Sequence, residues 1–368
     1  MSALKPFQNI PPGEFIKEEL EERGWTQGDL ADILGMAPKS ISKIINGKQS
    51  ITLDTARMLS KAFGQSPQYW INLDTNYRLR IQEKTEKITN VEIKSTIYKY
   101  MPITEMINKN WINPYKSVAL LVNEVNAFWN IKDLDFKFLE TEAAGLHFRK
   151  SEACRKFNIF YALTWFQKAR TSVQNIKLSK YTKNRLLRIC ENFNTYTLED
   201  NGVSNFIHEL NNAGIVFIVL SHLQKTYIDA ASFCKQNQPV IAYTARYDRI
   251  DNFWFSMAHE ISHILYDLNH EDDYFIDDMD RKPANDKEQR ANDFAAELLN
   301  HLKIFEFFKY KKKYISEFRV RDCADTLQIH PGIIVGALQR KKILSPRNLN
   351  KFKKSVLDQI PSEYKIEN

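Results

Sequence analysis

The sequence predicts a mainly α-helical protein with one small β-sheet, an α+β class divided into at least two domains. The chain has 368 residues, which is longer than most single hydrophobic cores. Between residues 11 and 80, apolar residues recur at helical spacing without a run of β-branched residues. Strand-like stretches follow much later, at Gly214–Leu220, Tyr227–Phe233 and Val240–Tyr243.

Composition narrows the class of protein. The chain is 43% apolar and 26% charged, as is usual for soluble globular proteins. It has no apolar run near 18 residues and no basic-then-apolar start, so we expect a cytoplasmic protein without a membrane segment. The absence of a CxxC pair argues against a disulfide framework or a cysteine zinc site, because the four cysteines are far apart: Cys154, Cys190, Cys234 and Cys323.

The net charge of +7 is unevenly distributed along the chain. Residues 1–80 carry ten Lys or Arg against nine Asp or Glu, whereas residues 301–368 carry fifteen against seven. Runs such as Lys311–Lys313 and Lys341–Lys342 are typical of a solvated helical face, with phosphate contact as the alternative. The excess basic charge therefore belongs to the C-terminal region and does not by itself indicate nucleic-acid binding.

Residues 1–80 are interpreted as an all-α domain. Thr26 suits a helix N-cap and Gly35 suits the positive φ that ends a helix, so a sharp turn is expected between two short helices. This order is that of a helix-turn-helix. The predicted helices are Pro12–Arg23, Gln27–Leu34, Lys39–Ile45, Leu53–Phe63 and Pro67 to about Arg80.

The third of these helices has one apolar and one polar face. Its isoleucines, Ile41, Ile44 and Ile45, are expected to be buried. On the opposite face lie Lys39, Ser40 and Lys43, whose side chains are of types that reach base edges and phosphates in a major groove. The pattern favours DNA binding over a domain that only mediates dimer or partner contacts.

The domain resembles the HigA antitoxin branch of the Cro/C1-type helix-turn-helix family. The resemblance rests on Pro12–Glu14, Glu18–Leu20, Ile45–Lys48 and Ser66–Trp70, and it covers nearly all of residues 10–80. It implies a homodimer that binds a double-stranded DNA operator. By this resemblance Gln27 and Lys48 contact phosphates, with Lys39, Ser40 and Lys43 on the recognition face. It also raises the possibility of a HigB-like ribonuclease toxin as a partner.

The remaining chain is divided by composition and periodicity. Residues 81–115 are rich in Lys, Asn and Thr, and we interpret them as a linker with some helix. The second domain is predicted at residues 116–300, of which 116–212 are helical and 213–300 hold the small sheet. Residues 301–368 are interpreted as a basic helical C-terminal region.

An HExxH motif lies on a helix predicted from about Asp251 to Leu268. Four residues advance a helix by about 6 Å and slightly more than one turn, so His259 and His263 face the same side and can hold one zinc ion. Glu260 is one step further round the helix, where it can bind a water molecule and take its proton. It is the predicted general base.

The third metal ligand must come from elsewhere in the chain. A metzincin is excluded because Asn269 stands where that class has a histidine, and Tyr266 stands where it has a glycine. A second helix is predicted at Glu288–Leu299, and Glu288 is the predicted third ligand, with Asn292 one turn on as a residue that orients a ligand. Asp286 and Glu297 are weaker alternatives.

Together, the HExxH helix and the later segment Glu288–Ala295 resemble the ImmA/IrrE metallopeptidases. The resemblance extends to Phe148–Ser151, Asp251–Phe255 and Ile329–Gly336, which are similar to the branch in which a HigA-type domain precedes a zincin-like peptidase domain. It implies a zinc-dependent endopeptidase that cleaves a repressor-type protein. The fusion of the two domains in one chain, joined by a Lys- and Asn-rich connector, raises the further hypothesis that this chain is itself cut within the 81–115 linker. The alternatives are a zinc site that only braces the fold, and a non-catalytic HigA-like antitoxin and operon repressor.

Two further histidines are candidates for the catalytic site. His330 is predicted to polarise a carbonyl or stabilise an oxyanion, and His301 is a weaker candidate for the same role. A lone histidine is more often structural, so both also have a purely structural interpretation.

Overall fold

The computed structural model describes residues 9–82, 86–145, 157–268, 273–277, 286–309 and 315–366. Within the chain there are two compact units, Met1–Ser95 and Thr96–Asn368, and each is described by itself. Three features of the sequence analysis lie outside the described residues: Cys154, the segment Phe148–Ser151 and the run Lys311–Lys313.

The first unit is all-helical in its described part, as the sequence predicts. Its five complete helices are α1 (Pro12–Arg23), α2 (Gln27–Leu34), α3 (Pro38–Ile45), α4 (Leu53–Phe63) and α5 (Pro67–Gln82). Helix α6 (Glu86–Tyr100) begins in this unit and ends in the second. The bounds of the first five helices differ from the predicted ones by at most two residues.

Capping groups define the turn between α2 and α3. The Thr26 backbone N–H donates to the Asp29 carboxylate at 2.7 Å, and the Asp29 N–H donates back to the Thr26 hydroxyl at 3.1 Å. These hydrogen bonds satisfy two donors that the start of a helix leaves without partners. The bond from the Thr26 backbone N–H, together with one from the Thr26 hydroxyl, lowers the pKa of Asp29. Gly35 then ends α2 with a φ of 61°, and Pro38 begins α3.

The core of the first unit lies between these helices. Isoleucines of α3 pack with side chains of α1, α2 and α4, and Trp70 of α5 is completely buried. Helices α1 and α3 approach so closely at Gly13 that a Cβ atom there would lie 1.8 Å from the Ile45 carbonyl oxygen. Asp74 of α5 accepts a hydrogen bond from the Ile51 N–H, which joins α5 to the loop after α3. It also forms a 2.9 Å ion pair with Arg78 on the same helix.

The second unit combines many helices with one four-stranded sheet, so the predicted α+β class is confirmed. Before the sheet lie α7 (Ile103–Asn108), α8 (Val118–Trp129), α9 (Lys137–Gly145), α10 (Ile159–Ser172), α11 (Lys183–Glu191), α12 (Phe193–Leu198) and α13 (Gly202–Asn212). After β3 come α14 (Ile250–Tyr266), α15 (Asp286–Leu298), α16 (His301–Phe307), α17 (Glu317–Leu327) and α18 (Pro331–Arg340). Short 3-10 turns follow at Asn350–Phe352, Leu357–Gln359 and Ser362–Tyr364.

The sheet has the order β1-β3-β2-β4. Its strands are β1 (Val216–Val219), β2 (Ala230–Lys235), β3 (Gln238–Tyr243) and β4 (Tyr274–Asp277). Strand β1 runs parallel to β3, whereas β2 is antiparallel to both β3 and β4. Gln236 and Asn237, both with positive φ, form the two-residue turn between β2 and β3, and such a turn matches the twist of paired strands.

Helix α14 is the centre of the second unit. Fifteen of its seventeen residues are buried, from Ile250 to Leu265. It packs against β2, α15 and α18, and its apolar side chains belong to the same core as those of α16, α17 and the C-terminal 3-10 turns. A polar side chain on this helix is therefore held in a fixed environment, away from bulk water.

The predicted domain boundaries at residues 80, 115 and 300 stay predictions. Helices α6 and α7 occupy much of the described part of the predicted linker, and Ile97, Met101 and Met106 there are completely buried. None of the helices in the described part of the chain is both long and apolar enough to cross a membrane.

Candidate metal centre

Two helices bring three ligand-type side chains together. His259 and His263 lie one turn apart on α14, and Glu288 lies in the first turn of α15. The facing surface of α15 is made of small residues, Ala291 and Ala295, both completely buried, which lets the two helices approach closely. Among the described residues, His259, His263 and Glu288 form a group with ligand atoms within 4.8 Å of one another.

The distances within this group suit a tetrahedral metal site. The two histidine Nε2 atoms are 3.1 Å apart. The Glu288 carboxylate oxygens lie 3.4 Å from His259 Nε2 and 3.6 Å from His263 Nε2. Ligand atoms at about 2.0–2.1 Å from a tetrahedral zinc ion are about 3.3 Å from each other. Two imidazoles and one carboxylate also form a donor set that zinc accepts in catalytic sites, so the residues present fit this metal.

A carboxylate holds the second histidine in the orientation that a metal ligand needs. His263 Nδ1 donates to the Asp267 carboxylate at 3.0 Å, and both side chains are almost completely buried. Because Nδ1 carries the hydrogen, the lone pair of Nε2 faces His259 and Glu288. Such a carboxylate contact fixes the ring and increases its basicity toward a metal.

Asp267 also joins the two helices that carry the ligands. Arg290 of α15 forms a short ion pair with it, and Lys287 Nζ lies 4.0 Å away. These two cations flank Glu288 in the sequence. The same carboxylate therefore orients His263 and fixes the start of α15, on which Glu288 lies.

Strand β4 covers the other face of the site. The Phe275 ring stacks on the His263 imidazole with a centroid distance of 4.2 Å and an interplanar angle of 5°. Lys287 Nζ lies 5.1 Å from the centre of the Phe275 ring. The aromatic ring excludes water from one side of the ligand and fixes its rotamer.

The sequence did not lead us to Asp267, Arg290 or Phe275. Asp267 could have been found, because it follows His263 by four residues on the same helix and therefore faces the same side. Phe275 had no comparable signal, since β4 has only four residues and an acidic surrounding sequence.

The other predicted site residues on α14 and α15 differ in their exposure to solvent. Glu260 is completely buried beside His259 on α14, and Asn292 is half-buried one turn after Glu288. The weaker ligand candidates Asp286 and Glu297 are exposed on α15. The roles of Glu260 and Asn292 stay predictions.

His330 is the N-cap residue of α18. Its Nδ1 accepts a hydrogen bond from the Gly332 N–H at 3.0 Å, and the backbone N–H of His330 donates to the Thr197 hydroxyl. Burial, with Lys354 nearby, lowers the pKa of His330 to about 4. These contacts give the imidazole a structural role, and its catalytic role stays a prediction.

His301 stacks on Phe255 at the start of α16, with a centroid distance of 5.8 Å. Burial and the charge of Arg340 lower its pKa to about 4, so this histidine is neutral at pH 7.

The predicted DNA-facing residues lie on the surface of the first unit. Gln27, Lys39, Lys43 and Lys48 are exposed, and Ser40 is half-buried. On the same helix as Lys39 and Lys43, Ile41, Ile44 and Ile45 are buried, as the sequence predicts.

Comparisons with known proteins match two separate parts of the chain. The helix-turn-helix family model matches residues 16–70. The Escherichia coli uncharacterized HTH-type transcriptional regulator YddM is 34% identical over 88 residues, which are 24% of this chain and 94% of that protein. The chain belongs to the helix-turn-helix family. This helix-turn-helix protein also carries an IrrE N-terminal-like domain, whose family model matches residues 212–328 and indicates a metallopeptidase-like fold.

Two further relatives match the helix-turn-helix region. Virulence-associated protein I of Dichelobacter nodosus is 36% identical over 85 residues, which are 23% of this chain and 79% of that protein. Antitoxin HigA-1 of Vibrio cholerae is 32% identical over 95 residues, which are 24% of this chain and 90% of that protein. The protein is thus an antitoxin-like helix-turn-helix regulator with a second, peptidase-family domain.

Proposed function

We propose that this protein is a DNA-binding regulator whose second unit is a zinc-dependent endopeptidase that cleaves a repressor-type protein or the chain itself. The observation that carries the proposal is the buried cluster of His259, His263 and Glu288, whose ligand atoms have the spacing of a tetrahedral metal site. Family membership supports both halves of the proposal.

The chain's own residues would hold the metal and move the proton. His259, His263 and Glu288 supply three ligands and leave a fourth position, as in catalytic rather than structural zinc sites. When bound, zinc supplies Lewis-acid polarisation of the scissile carbonyl and lowers the pKa of water. Glu260 takes a proton from the water that adds to the carbonyl carbon, and it returns this proton to the leaving amine as the C–N bond breaks.

The position of Glu260 supports its role as the base. It neighbours His259 in the sequence and is completely buried, so it lies in surroundings where a carboxylate interacts strongly with nearby charges. On a helix it points to a different side from that of the two histidines, which suits a proton carrier better than a fourth ligand.

Self-cleavage in the predicted linker is restricted by the fold of that segment. Ile97, Ile103 and Met106 are completely buried in α6 and α7, Met101 is buried between these helices, and a peptidase needs an extended substrate chain. Side chains between residues 91 and 96 are mostly exposed. We therefore expect any cut within the described part of the linker to fall outside residues 97–106, either before Ile97 or near Asn113 and Pro114, which are exposed and outside any helix.

The experiment compares zinc-loaded wild type with Glu260→Gln, alone and with co-expressed repressor-type proteins. Glu306→Gln is the matched control, because it removes the same charge from an exposed position of α16. Fragments from wild type and Glu306→Gln, but not from Glu260→Gln, would support the peptidase, and mass spectrometry of the fragment ends would give the scissile bond. Equal fragment yields from wild type and Glu260→Gln would contradict it.

The second candidate function is a non-catalytic antitoxin and operon repressor that binds a HigB-like ribonuclease. The observation that favours it is the likeness of the first unit to Antitoxin HigA-1 of Vibrio cholerae. Under this alternative, a small basic ribonuclease encoded beside the protein co-purifies with it, and Glu260→Gln neutralises that toxin as well as wild type does. The predicted homodimer on a two-fold operator is common to both functions.

A further inference from the structure

One row of side chains crosses the sheet on the face that packs against α14. The strand register places Phe217 of β1 beside Ile241 of β3, which in turn lies beside Ser232 of β2. Ser232 is then paired with Phe275 of β4. Residues paired across neighbouring strands project from the same face of a sheet. Ser232 is therefore a polar member of a row whose other three side chains are apolar.

Helix α14 follows this row from one end to the other. Its Phe253 ring lies 6.4 Å from the Phe217 ring, centre to centre. At the other end of the row, His263 stacks on Phe275 at 4.2 Å. Three strand spacings separate the two ends of the row, which is about 14 Å. The ten residue steps from Phe253 to His263 advance the helix by about 15 Å, so the helix axis runs along the row.

The same geometry places Ser232 opposite Glu260. Ser232 lies two strand spacings from Phe217, or about 10 Å along the row. Glu260 follows Phe253 by seven residues, which advance the helix by about 10.5 Å. Seven residues also turn the helix by about 20° less than two full turns, so Glu260 faces the sheet as Phe253 does. The carboxylate and the hydroxyl therefore project toward each other from the helix and from the sheet.

The Ser232 hydroxyl lies where it needs a hydrogen-bond acceptor. Ser232 is completely buried, and among the residues that the structure describes its Oγ has no hydrogen-bond partner. Its neighbours in the row, Ile241 and Phe275, have no polar side-chain atom. A buried hydroxyl without a partner is destabilising, and so is a buried carboxylate that lacks donors. Glu260 is also completely buried, so each group supplies what the other requires.

We propose that Ser232 is a positioning residue for Glu260. Its hydroxyl donates a hydrogen bond to the Glu260 carboxylate, directly or through one water molecule. The glutamate side chain has three rotatable bonds, and this contact restricts it to one orientation for proton transfer. The catalytic consequence rests on the proposed peptidase function, whereas the contact itself does not.

The contact is tested by a double-mutant cycle on the melting temperature of the full chain, measured by scanning calorimetry at one fixed zinc concentration. We expect Ser232→Ala to lower the melting temperature of the wild type by about 2–4 °C, because a buried carboxylate loses a donor. In a Glu260→Leu background the same substitution should leave the melting temperature unchanged or raise it, since the hydroxyl there has no acceptor. Equal shifts in the two backgrounds would overturn the proposal.

Glu260→Gln provides a second background in case Glu260→Leu does not fold. A hydrogen bond to an amide is weaker than one to a carboxylate, so Ser232→Ala should lower the melting temperature less in this background than in wild type. An equal loss in both would again contradict the contact.

Ser262→Ala is the matched control. Ser262 is also completely buried, and its hydroxyl has no hydrogen-bond partner among the described residues. It follows Glu260 by two residues, which places it about 200° round α14, away from the sheet. The substitution makes the same chemical change as Ser232→Ala, and it should shift the melting temperature equally with and without the Glu260 carboxylate.

Kinetics distinguish positioning from packing. For a substrate that the wild type cleaves, we expect Ser232→Ala to lower kcat about tenfold with little change in KM, because the orientation of the base matters after binding. Ser232→Thr keeps the hydroxyl and should recover most of kcat. Equal losses in the two variants would contradict a positioning role. If the wild type cleaves nothing, the proposed function fails, whereas coupled melting temperatures would still establish the contact.

Discussion

The carboxylate of Asp267 contacts both helices that carry the metal ligands. It accepts a hydrogen bond from His263 Nδ1 and forms an ion pair with Arg290 on the helix of Glu288. We expect Asp267→Asn to lower zinc affinity by about 10- to 100-fold, because the imidazole loses the anion that orients it and increases its basicity. Competition with a coloured zinc chelator measures this affinity.

The control for that prediction is Asp293→Asn. Asp293 is exposed on α15 and accepts a hydrogen bond from the Gln289 side chain. The substitution therefore makes the same chemical change outside the metal centre. Equal zinc affinity of Asp267→Asn and wild type would show that the contact with His263 does not support metal binding.

His301 makes the stability of the second unit depend on pH. Its pKa falls from an ordinary value of 6.5 to about 4 in the folded protein, through burial and the charge of Arg340. Between these two values the unfolded chain binds a proton that the folded chain does not. This contribution to stability is therefore complete above about pH 6.5 and is lost as the pH falls toward 4.

We expect the wild type to lose about 2 kcal/mol more unfolding free energy between pH 7 and pH 5 than His301→Phe does. Phenylalanine keeps an aromatic ring beside Phe255 but cannot be protonated. Urea unfolding at the two pH values measures the difference. His330 has a similarly lowered pKa, but it is present in both proteins and so cancels. An identical pH dependence of the unfolding free energy in the two proteins would show that His301 does not contribute to it.

At the scale of elements, the helix ends were the most predictable feature of the chain. Thr26, Gly35 and Gly64 occupy the capping positions that their types favour, and α1, α2 and α4 have the predicted bounds. Strand β4 was missed, because four residues are too few to show alternation and the strand is defined by its pairing with β2. Pairing between distant segments is not visible in a local pattern.

The contact between α1 and α3 depends on a glycine. A Cβ atom at position 13 would lie 1.8 Å from the Ile45 carbonyl oxygen, so Gly13→Ala must separate the two helices. We expect it to destabilise the helix-turn-helix unit by about 1–3 kcal/mol. At Gly28 on α2 a Cβ atom would only touch Thr26 Oγ1 at 3.4 Å. Gly28→Ala should therefore stabilise the unit by up to about 1 kcal/mol, through helix propensity.

Thermal unfolding of the full chain, followed by circular dichroism, tests this pair of variants. Opposite signs for the two changes are the expected result. If Gly13→Ala were as stable as Gly28→Ala, the close approach of α1 and α3 would be wrong.

Helix α3 and the turn after it carry the predicted DNA contacts. Lys48 is exposed beyond the end of α3, where we predict a phosphate contact. Lys48→Ala should weaken binding to a mixed-sequence duplex and reduce the slope of log affinity against log salt by about 0.9. Lys61→Ala, at an exposed position on α4, is the control and should leave the slope unchanged. A slope unaltered by Lys48→Ala would remove Lys48 from the interface.

At the scale of the whole molecule, the sequence predicted the α+β class and the order of its parts. Local signals such as the HExxH spacing and the helix caps were sufficient for this, together with the likeness to known families. The meeting of α14 with the first turn of α15 was anticipated only through the choice of Glu288 as third ligand. A cavity between α14 and α18 was not anticipated, because its lining combines Arg249 with Arg340 and Lys353 from a segment much later in the chain, and only tertiary packing brings them together.

The predicted linker also shows that tertiary packing cannot be read from local composition. Its Lys-, Asn- and Thr-rich composition indicated a connector, yet Ile97, Ile103 and Met106 are buried in helices and Met101 is buried between them. Composition averages over a segment, whereas burial depends on whether a few apolar residues pack against the rest of the fold. A short apolar set within a polar segment is therefore easily overlooked.

We infer that His259, His263 and Glu288 hold one metal ion while Glu260 carries the proton between the water and the leaving amine. Zinc content after dialysis, measured by mass spectrometry of the metal for wild type, Glu260→Gln and Glu288→Ala, tests this directly. We expect about one zinc ion per chain in wild type and in Glu260→Gln, and a clear loss in Glu288→Ala. Full zinc content in Glu288→Ala, or none in wild type, would contradict it.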